Sequence, residues 1–203
     1  MTDLITTKIL SGKEVAESVY DRMDESIISL SSRGVVPGLA AVLMGNDPAS
    51  EVYVRMKTKK FSKLKLHSET FYMPADLKEH DIADVISKLN ENPKYHGILV
   101  QLPLPKHIDT EKILNAVSPE KDVDGFHPEN LGRLASGKPR FIPCTPKGIL
   151  EILKHYDIST QGKHVVVVGR SNIVGRPISL LLGLKNDTGN ATVTVCHSRT
   201  PDI

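Results

Sequence analysis

The sequence predicts an α/β protein: helices on both faces of a parallel sheet in its N-terminal part, then a break, then the opening of a second strand–turn–helix–strand unit. Two apolar runs of strand length, Gly38 to Met44 and Gly97 to Val100, have the near-continuous hydrophobicity of strands buried on both faces. Stretches with helical spacing alternate with such runs, the order expected of parallel strands joined by crossover helices. Between residues 118 and 143 the rhythm stops at Pro119, Gly125, Pro128, Gly132, Gly137, Pro139 and Pro143, so loops and a boundary fall there. A chain of 203 residues can form one large or two modest domains. The expected division is 1–144 and 145–203.

Each element has a local reason. Ser11-Gly12-Lys13-Glu14 has capping-box spacing, and Val15, Val19, Met23, Ile27 and Leu30 then recur at helical intervals until Gly34. After the strand from Gly38, Asp47-Pro48 supplies a cap and a first-turn proline for a helix ending near Leu64. A shorter strand is expected from Glu69 to Met73, a helix capped by Asp76 that ends near Leu89, the Gly97 strand, and a helix from Asp109 to Val117. Thr145-Pro146 restarts a helix. His164 to Val168 reads as a strand, Gly169 to Gly175 as a turn, Pro177 to Leu182 as a helix and Ala191 to Cys196 as a second strand.

Composition excludes several function classes. Hydrophobic residues make up 39% and charged residues 25% of the chain, with a formal net charge of +2, so no global charge argues for nucleic acid. No apolar run approaches the roughly 18 residues that span a bilayer. The start, Met1-Thr2-Asp3-Leu4, lacks a basic region followed by an apolar one, so a cytoplasmic protein without a membrane partner is expected. Cys144 and Cys196 are the only cysteines and have no metal-ligand spacing, so neither a disulfide framework nor a metal site is expected.

Four stretches can carry chemistry. The Gly97 strand delivers Gln101 into a turn stiffened by Pro103 and Pro105, where ladder pairing must stop. The C-terminal edge of a parallel sheet is where ligands bind, although a glutamine satisfying turn backbone explains the pattern equally well. Tyr53 and Lys57 lie four apart and project from one helix face, yet Arg55, Lys57, Lys59, Lys60, Lys63 and Lys65 form a basic run with no acid among them. Spacing alone favours a solvated face. Lys121-Asp122-Val123-Asp124-Gly125 can aim one carboxylate inward, and carboxylates bind best to flat edges offering two parallel donors. For Asp122 the expectation is a solvated acid in an Asx-type turn. Gly169-Arg170-Ser171-Asn172-Ile173-Val174-Gly175-Arg176-Pro177 follows an apolar strand and opens a helix, as phosphate-cradling turns do. It departs from G-x-G-x-x-G, since Ser171 takes the second glycine's place and the next glycine comes one residue late. Arg170, Ser171 and Arg176 add donors suited to a phosphorylated ribose, which favours NADP over NAD.

Tyr53-Val54-Arg55-Met56-Lys57, Gly97 to Pro105, Pro119 to Gly125, Pro143-Cys144-Thr145-Pro146-Lys147-Gly148 and Gly169 to Pro177, in that order, resemble the bifunctional methylenetetrahydrofolate dehydrogenase/methenyltetrahydrofolate cyclohydrolase family, of FolD type. The resemblance runs from about Lys8 to the last residue. It implies an N-terminal αβα catalytic domain with a parallel sheet, followed by a Rossmann-type NADP domain, with folate in the cleft between them. It implies two reactions: hydride transfer from 5,10-methylenetetrahydrofolate to NADP, then hydrolysis of the methenyl cation to 10-formyltetrahydrofolate. Lys57 matches the family's catalytic lysine, an amine that a cationic folate beside it would help to act as a base. Gln101 matches the residue that hydrogen-bonds that lysine and the folate, Tyr53 the ring that stacks along the folate, and Asp124 the carboxylate that grips the pterin. Val54, Arg55, Met56, Val100 and Leu102 flank these positions and are expected in the substrate site. Gly169, Arg170 and Ser171 match the NADP-binding turn, and Ser198 a serine near the adenosine phosphate. Tetrahydrofolate derivatives are the implied partners, and family members form homodimers through the cofactor domain. The departure is length, because family members continue with further Rossmann strands and a terminal helix. The second domain is therefore expected to be a truncated Rossmann-type NADP domain, and the alternative expectation is a folate-binding or interaction module without turnover.

Overall fold

The computed structural model describes residues 7–203. It divides into two compact units, one formed by Leu30–Cys144 and the other by the residues up to Ser29 together with Thr145–Ile203. The division at residue 144 falls where the helix was expected to restart. The first helix, α1 (Gly12–Ser32), has most of its length in the second unit.

The unit Leu30–Cys144 is built around strands β1 (Gly38–Met44), β2 (His67–Met73) and β3 (Gly97–Val100), all parallel, in the order β2-β1-β3. Its helices are α2 (Pro48–Lys63), α3 (Glu79–Glu91), α4 (Thr110–Ala116) and α5 (Pro128–Ala135). Every residue of the central strand β1 is buried, as its unbroken apolar sequence requires. Side chains alternate across a strand, so β1 serves two cores. Ala40, Val42 and Met44 pack with Ile82, Ile86, Ile98 and Ile113, while Leu39, Ala41 and Leu43 pack with Val54 and Leu99. Helix α2 begins as its sequence demands: the Asp47 carboxylate accepts from the Ser50 N–H at 2.8 Å, and Pro48 occupies the first turn, where no N–H is needed. Asp109 caps α4 in the same way, accepting from the Glu111 and Lys112 N–H groups.

Three expectations need correction here. β2 starts at His67, because its polar first residues still complete the ladder with Gly38 and Leu39 on an edge strand that apolar periodicity does not mark. Asp76 does not cap α3; the Leu77 N–H bonds the Pro74 carbonyl in a separate turn, and the helix begins at Glu79. The segment read as loop contains α5, capped by His127 Nδ1, which accepts from the Glu129 N–H at 3.1 Å ahead of Pro128. Its eight residues, with Gly132 among them, are too few for a periodic signal.

The second unit contains α6 (Cys144–His155), β4 (His164–Val168), α7 (Gly175–Gly183) and β5 (Thr192–Cys196). β4 and β5 pair in parallel from His164 opposite Thr192 to Val168 opposite Cys196, with α7 as the crossover between them. α7 buries Ile178, Leu181 and Leu182. α1 is tied to α6 by an Arg22–Glu151 ion pair of 2.6 Å and by the Tyr156 hydroxyl, which accepts from the Ser11 N–H at 2.7 Å. Among the described residues, no helix is long and apolar enough to cross a membrane.

Candidate functional site

In the unit Leu30–Cys144, the ladder outlasts β3 by one residue, because the Gln101 N–H donates to the Val42 carbonyl at 2.9 Å. The prolines then end the pairing, and Gln101 stands at the C-terminal edge of the sheet. Its amide nitrogen donates to the Leu102 carbonyl at 2.9 Å, which turns Oε1 outward. That oxygen accepts from Lys57 Nζ at 3.4 Å. Lys57 is thus half-buried and held by a neutral acceptor from another element, so the solvated-face reading that spacing favoured does not apply to it. The helix itself explains the split: Lys57 lies at the border of the buried face, with Val54, three residues before it, 1% exposed in the core, and Tyr53, four before it, and Met56, next to it, 61% and 63% exposed. Val54 and Val100 are core side chains, so the part of either residue open to a ligand is its main chain. Arg55 is exposed and Leu102 half-buried.

Asp124 completes the group. Burial raises its carboxyl above the usual range, the Lys57 ammonium pulls it back down, the Asp122 carboxylate raises it, and the Cys144 thiol, donating at 3.6 Å, lowers it. Contrary to the expectation of a solvated acid, Asp122 is buried. It is 5% exposed, and its Oδ2 accepts from the His127 N–H and from Asn130 Nδ2, each at 2.8 Å. The fully buried Asn130, which bonds Asp122, and the thiol of Cys144, which bonds Asp124, are the neighbours that sequence reasoning did not place at this loop. Neither stands at a helical or strand interval from it, and only the chain reversal through α5 brings them back.

A raised Asp124 carboxyl has a consequence for binding. To accept two parallel donors it must be ionised, so a ligand gripped in that way is lost on acidification at a higher pH than an ordinary carboxylate would give, and tetrahydrofolate is the ligand the family resemblance implies. Titrating tetrahydrofolate from pH 8 to about pH 4.5, the lower end being near a normal Glu value, is expected to show this loss, and Asp124→Asn is expected to remove the pH dependence. The same limb surviving in the variant would assign it to another group.

In the second unit, the Gly169 N–H donates to the Cys196 carbonyl at 2.8 Å, which brings the ends of β4 and β5 together. Arg170 and Ser198 follow those ends and are exposed, at the carboxyl edge where parallel sheets bind nucleotides. Gly169 has φ +126°, and a Cβ on Gly175 would lie 2.4 Å from the Gly169 carbonyl oxygen, so the turn needs glycine at both positions. Ser171 closes the turn: its Oγ accepts from the Val174 and Gly175 N–H groups at 3.1 and 3.3 Å. Its O–H remains a donor. A compact glycine-bounded turn at the start of a helix, with a guanidinium and hydroxyls beside it, fits a phosphorylated dinucleotide.

Residues 10–124 match the tetrahydrofolate dehydrogenase/cyclohydrolase catalytic domain, and residues 143–203 match the NAD(P)-binding domain of the same family. The chain belongs to the tetrahydrofolate dehydrogenase/cyclohydrolase family. A bifunctional protein FolD of Geotalea uraniireducens is 53% identical over 196 residues, covering 97% of this chain and 69% of that protein. The crystal structure of bifunctional FolD methylenetetrahydrofolate dehydrogenase/cyclohydrolase from Campylobacter jejuni has a TM-score of 0.91 at 40% identity, over 97% of this chain and 69% of the other. The FolD of Trypanosoma brucei, solved with NADP and an inhibitor, has a TM-score of 0.88 at 35% identity, over 96% and 66% of the two chains. The mixed α/β fold with a parallel sheet, catalytic domain first and NAD(P)-binding domain second, is that of the family.

Proposed function

We propose that the chain is an NADP-dependent methylenetetrahydrofolate dehydrogenase and methenyltetrahydrofolate cyclohydrolase of one-carbon metabolism, with residues 1–144 forming the folate part and 145–203 the NADP part. The observation that carries this reading is the meeting of Lys57 with Gln101 beside Asp124, at a sheet edge in a chain of this family. A module that binds folate without turnover is not favoured, since the match extends through both parts.

Each residue has a task set by its chemistry. Asp124 accepts from the amino-pyrimidine edge of the pterin, whose two parallel donors match a carboxylate. Tyr53, exposed and one helical turn from Lys57, offers its face to the folate rings. Gln101 fixes the lysine amine without adding charge, which matters because the substrate becomes cationic at the methenyl stage. Lys57 manages protons at the attacking water during hydrolysis, where a positioned amine contributes about 10²- to 10⁴-fold. NADP, when bound, supplies the hydride acceptor. Gly169, Arg170, Ser171 and Ser198 hold it, the arginine and serines through its phosphates and the glycine by letting the backbone approach.

Absorbance at the NADPH band, followed after adding 5,10-methylenetetrahydrofolate and NADP, tests the dehydrogenase assignment. A rise dependent on both is expected; its absence overturns the assignment. Decay of the methenyl absorbance tests the hydrolase in the same way.

The exposed Lys59, Lys63 and Lys65 with Lys60 make one side of α2 basic. They are expected to attract the anionic glutamyl tail of folates. Since exposed charges are screened over about 8 Å at physiological ionic strength, rising salt is expected to weaken polyglutamylated folate selectively relative to the monoglutamate. Equal salt responses for both would remove these lysines from the binding account.

A further inference from the structure

We infer that Asp122 and Asn130 are positioning residues: together they set the aim of Asp124 toward the pterin, a role that rests on Asp124 gripping the pterin as proposed above. The loop from Lys121 to Gly125 is short and would be free to swing, yet it is tied along its whole length. Its start is pinned to the sheet, where the Ile98 N–H donates to the Lys121 carbonyl at 2.7 Å and Asp122 forms a single parallel bridge with Ile98. Lys121 Nζ donates to the Leu89 and Asn92 carbonyls at 3.2 and 2.9 Å, holding the loop to the end of α3. Gly125, with φ +70°, lies so close to Pro143 that an added Cβ would stand 3.2 Å from the ring.

The decisive tie lies between these ends. Asp122 Oδ2 takes two donors at once, the His127 N–H and Asn130 Nδ2. Asn130 has no exposure; its Nδ2 also donates to the Pro119 carbonyl at 2.8 Å, and its Oδ1 accepts from Arg140 at 3.4 Å. Arg140 is itself held by Glu129 at 2.9 Å. A buried carboxylate is costly unless its lone pairs are used. This one takes both its donors from the start of α5, the cap residue His127 and Asn130 in the first turn, so α5 is the wall against which the loop is held. The Gly125 N–H donates to the Asp122 carbonyl at 3.1 Å and closes a tight turn over residues 122–125, so a rotation of Asp122 carries Asp124 with it.

Both original bonds end on one oxygen. An Asp122→Asn change therefore preserves them through the amide oxygen, whereas Asp122→Ala removes both. Isothermal titration of tetrahydrofolate and of NADP is the test, on the full chain and on Asp122→Ala, Asp122→Asn, Asp124→Asn and the Asp122→Ala/Asp124→Asn double variant. A carboxylate displaced by about 1 Å predicts roughly 30- to 100-fold weaker tetrahydrofolate binding for Asp122→Ala. Asp122→Asn is expected to bind within about threefold of the parent, NADP affinity to hold in every variant, and the double variant to bind no more weakly than Asp124→Asn, since coupled residues are not additive. Unchanged tetrahydrofolate binding in Asp122→Ala, equal losses in Asp122→Ala and Asp122→Asn, or additive losses in the double variant each overturn the positioning role while leaving Asp124 in place. Asp124→Asn binding tetrahydrofolate normally overturns the site reading and this inference with it. If Asp122→Ala does not fold, Asn130→Ser takes its place in the same titration, with a smaller loss expected because one of the two bonds remains; no loss overturns the inference.

Discussion

Lys57→Met is expected to reduce cyclohydrolase turnover by about three orders of magnitude, within the range a positioned acid or base contributes, and to reduce hydride transfer far less. Methionine keeps most of the stem that crosses from α2 toward the end of β3 but presents no nitrogen to Gln101 Oε1, which now receives one at 3.4 Å. The two reactions need different things from that nitrogen. Hydride transfer asks that the bridge carbon be oriented, and in the proposed site Asp124 and Tyr53 still bind the ring system. Hydrolysis needs a proton taken from water and handed on, and no other group at this sheet edge carries a basic nitrogen held toward Gln101. Parallel assays of NADPH formation and of methenyl decay on one preparation measure the split. Equal losses in both would make the lysine a positioning group only.

Gly175→Ala is expected to weaken NADP binding by more than about 100-fold while leaving tetrahydrofolate binding within about threefold, since the proposed function assigns the two ligands to different parts of the chain. An added Cβ would meet three backbone atoms, the Gly169 oxygen and carbon at 2.4 and 2.6 Å and the Arg170 nitrogen at 2.8 Å. None of these can rotate away as a side-chain end could. The turn must open, and opening it breaks the bonds from the Val174 and Gly175 N–H groups to Ser171. Overpacking of this kind costs typically 1–3 kcal/mol, so a lower melting temperature accompanies the loss. Gly132→Ala is the control: nothing lies within 4 Å of its added Cβ, and alanine in an exposed helix is expected to stabilise by about 0.5–1 kcal/mol. NADP titration against both variants decides the matter. Undiminished affinity in Gly175→Ala would remove this turn from the cofactor account.

Much of the fold was legible wherever one residue type leaves a single option. The unbroken apolar run of β1 could only be a strand covered on both faces, and Asp47-Pro48 could only open a helix. Lys57 shows where legibility ends. Its spacing places it on the face shared with Tyr53, but nothing in the run from Arg55 to Lys65 marks which lysine has a partner forty-four residues away. The family resemblance separated it; the charge pattern did not. Asp122 and Asp124 look alike in sequence, and their difference depends on Asn130, carried back by a helix too short and too rich in turn-forming residues to show a period. β2 hides for the opposite reason, since the polar His67 and Ser68 at its start interrupt the apolar pattern by which a strand is recognised, although both pair with β1.

The fold of the Asp122 loop also decides where the polypeptide can be cut or lengthened. From Lys121 to Arg140 the backbone is threaded through fixed points, but Ala135 to Lys138 is an exposed tip in which Gly137 has φ +74°. An affinity tag or a protease site placed there meets only solvent, whereas a single extra residue between Asp122 and Asn130 would shift the register of every bond around the carboxylate. Engineering of this protein therefore has one permissive position within a segment that otherwise admits no insertion.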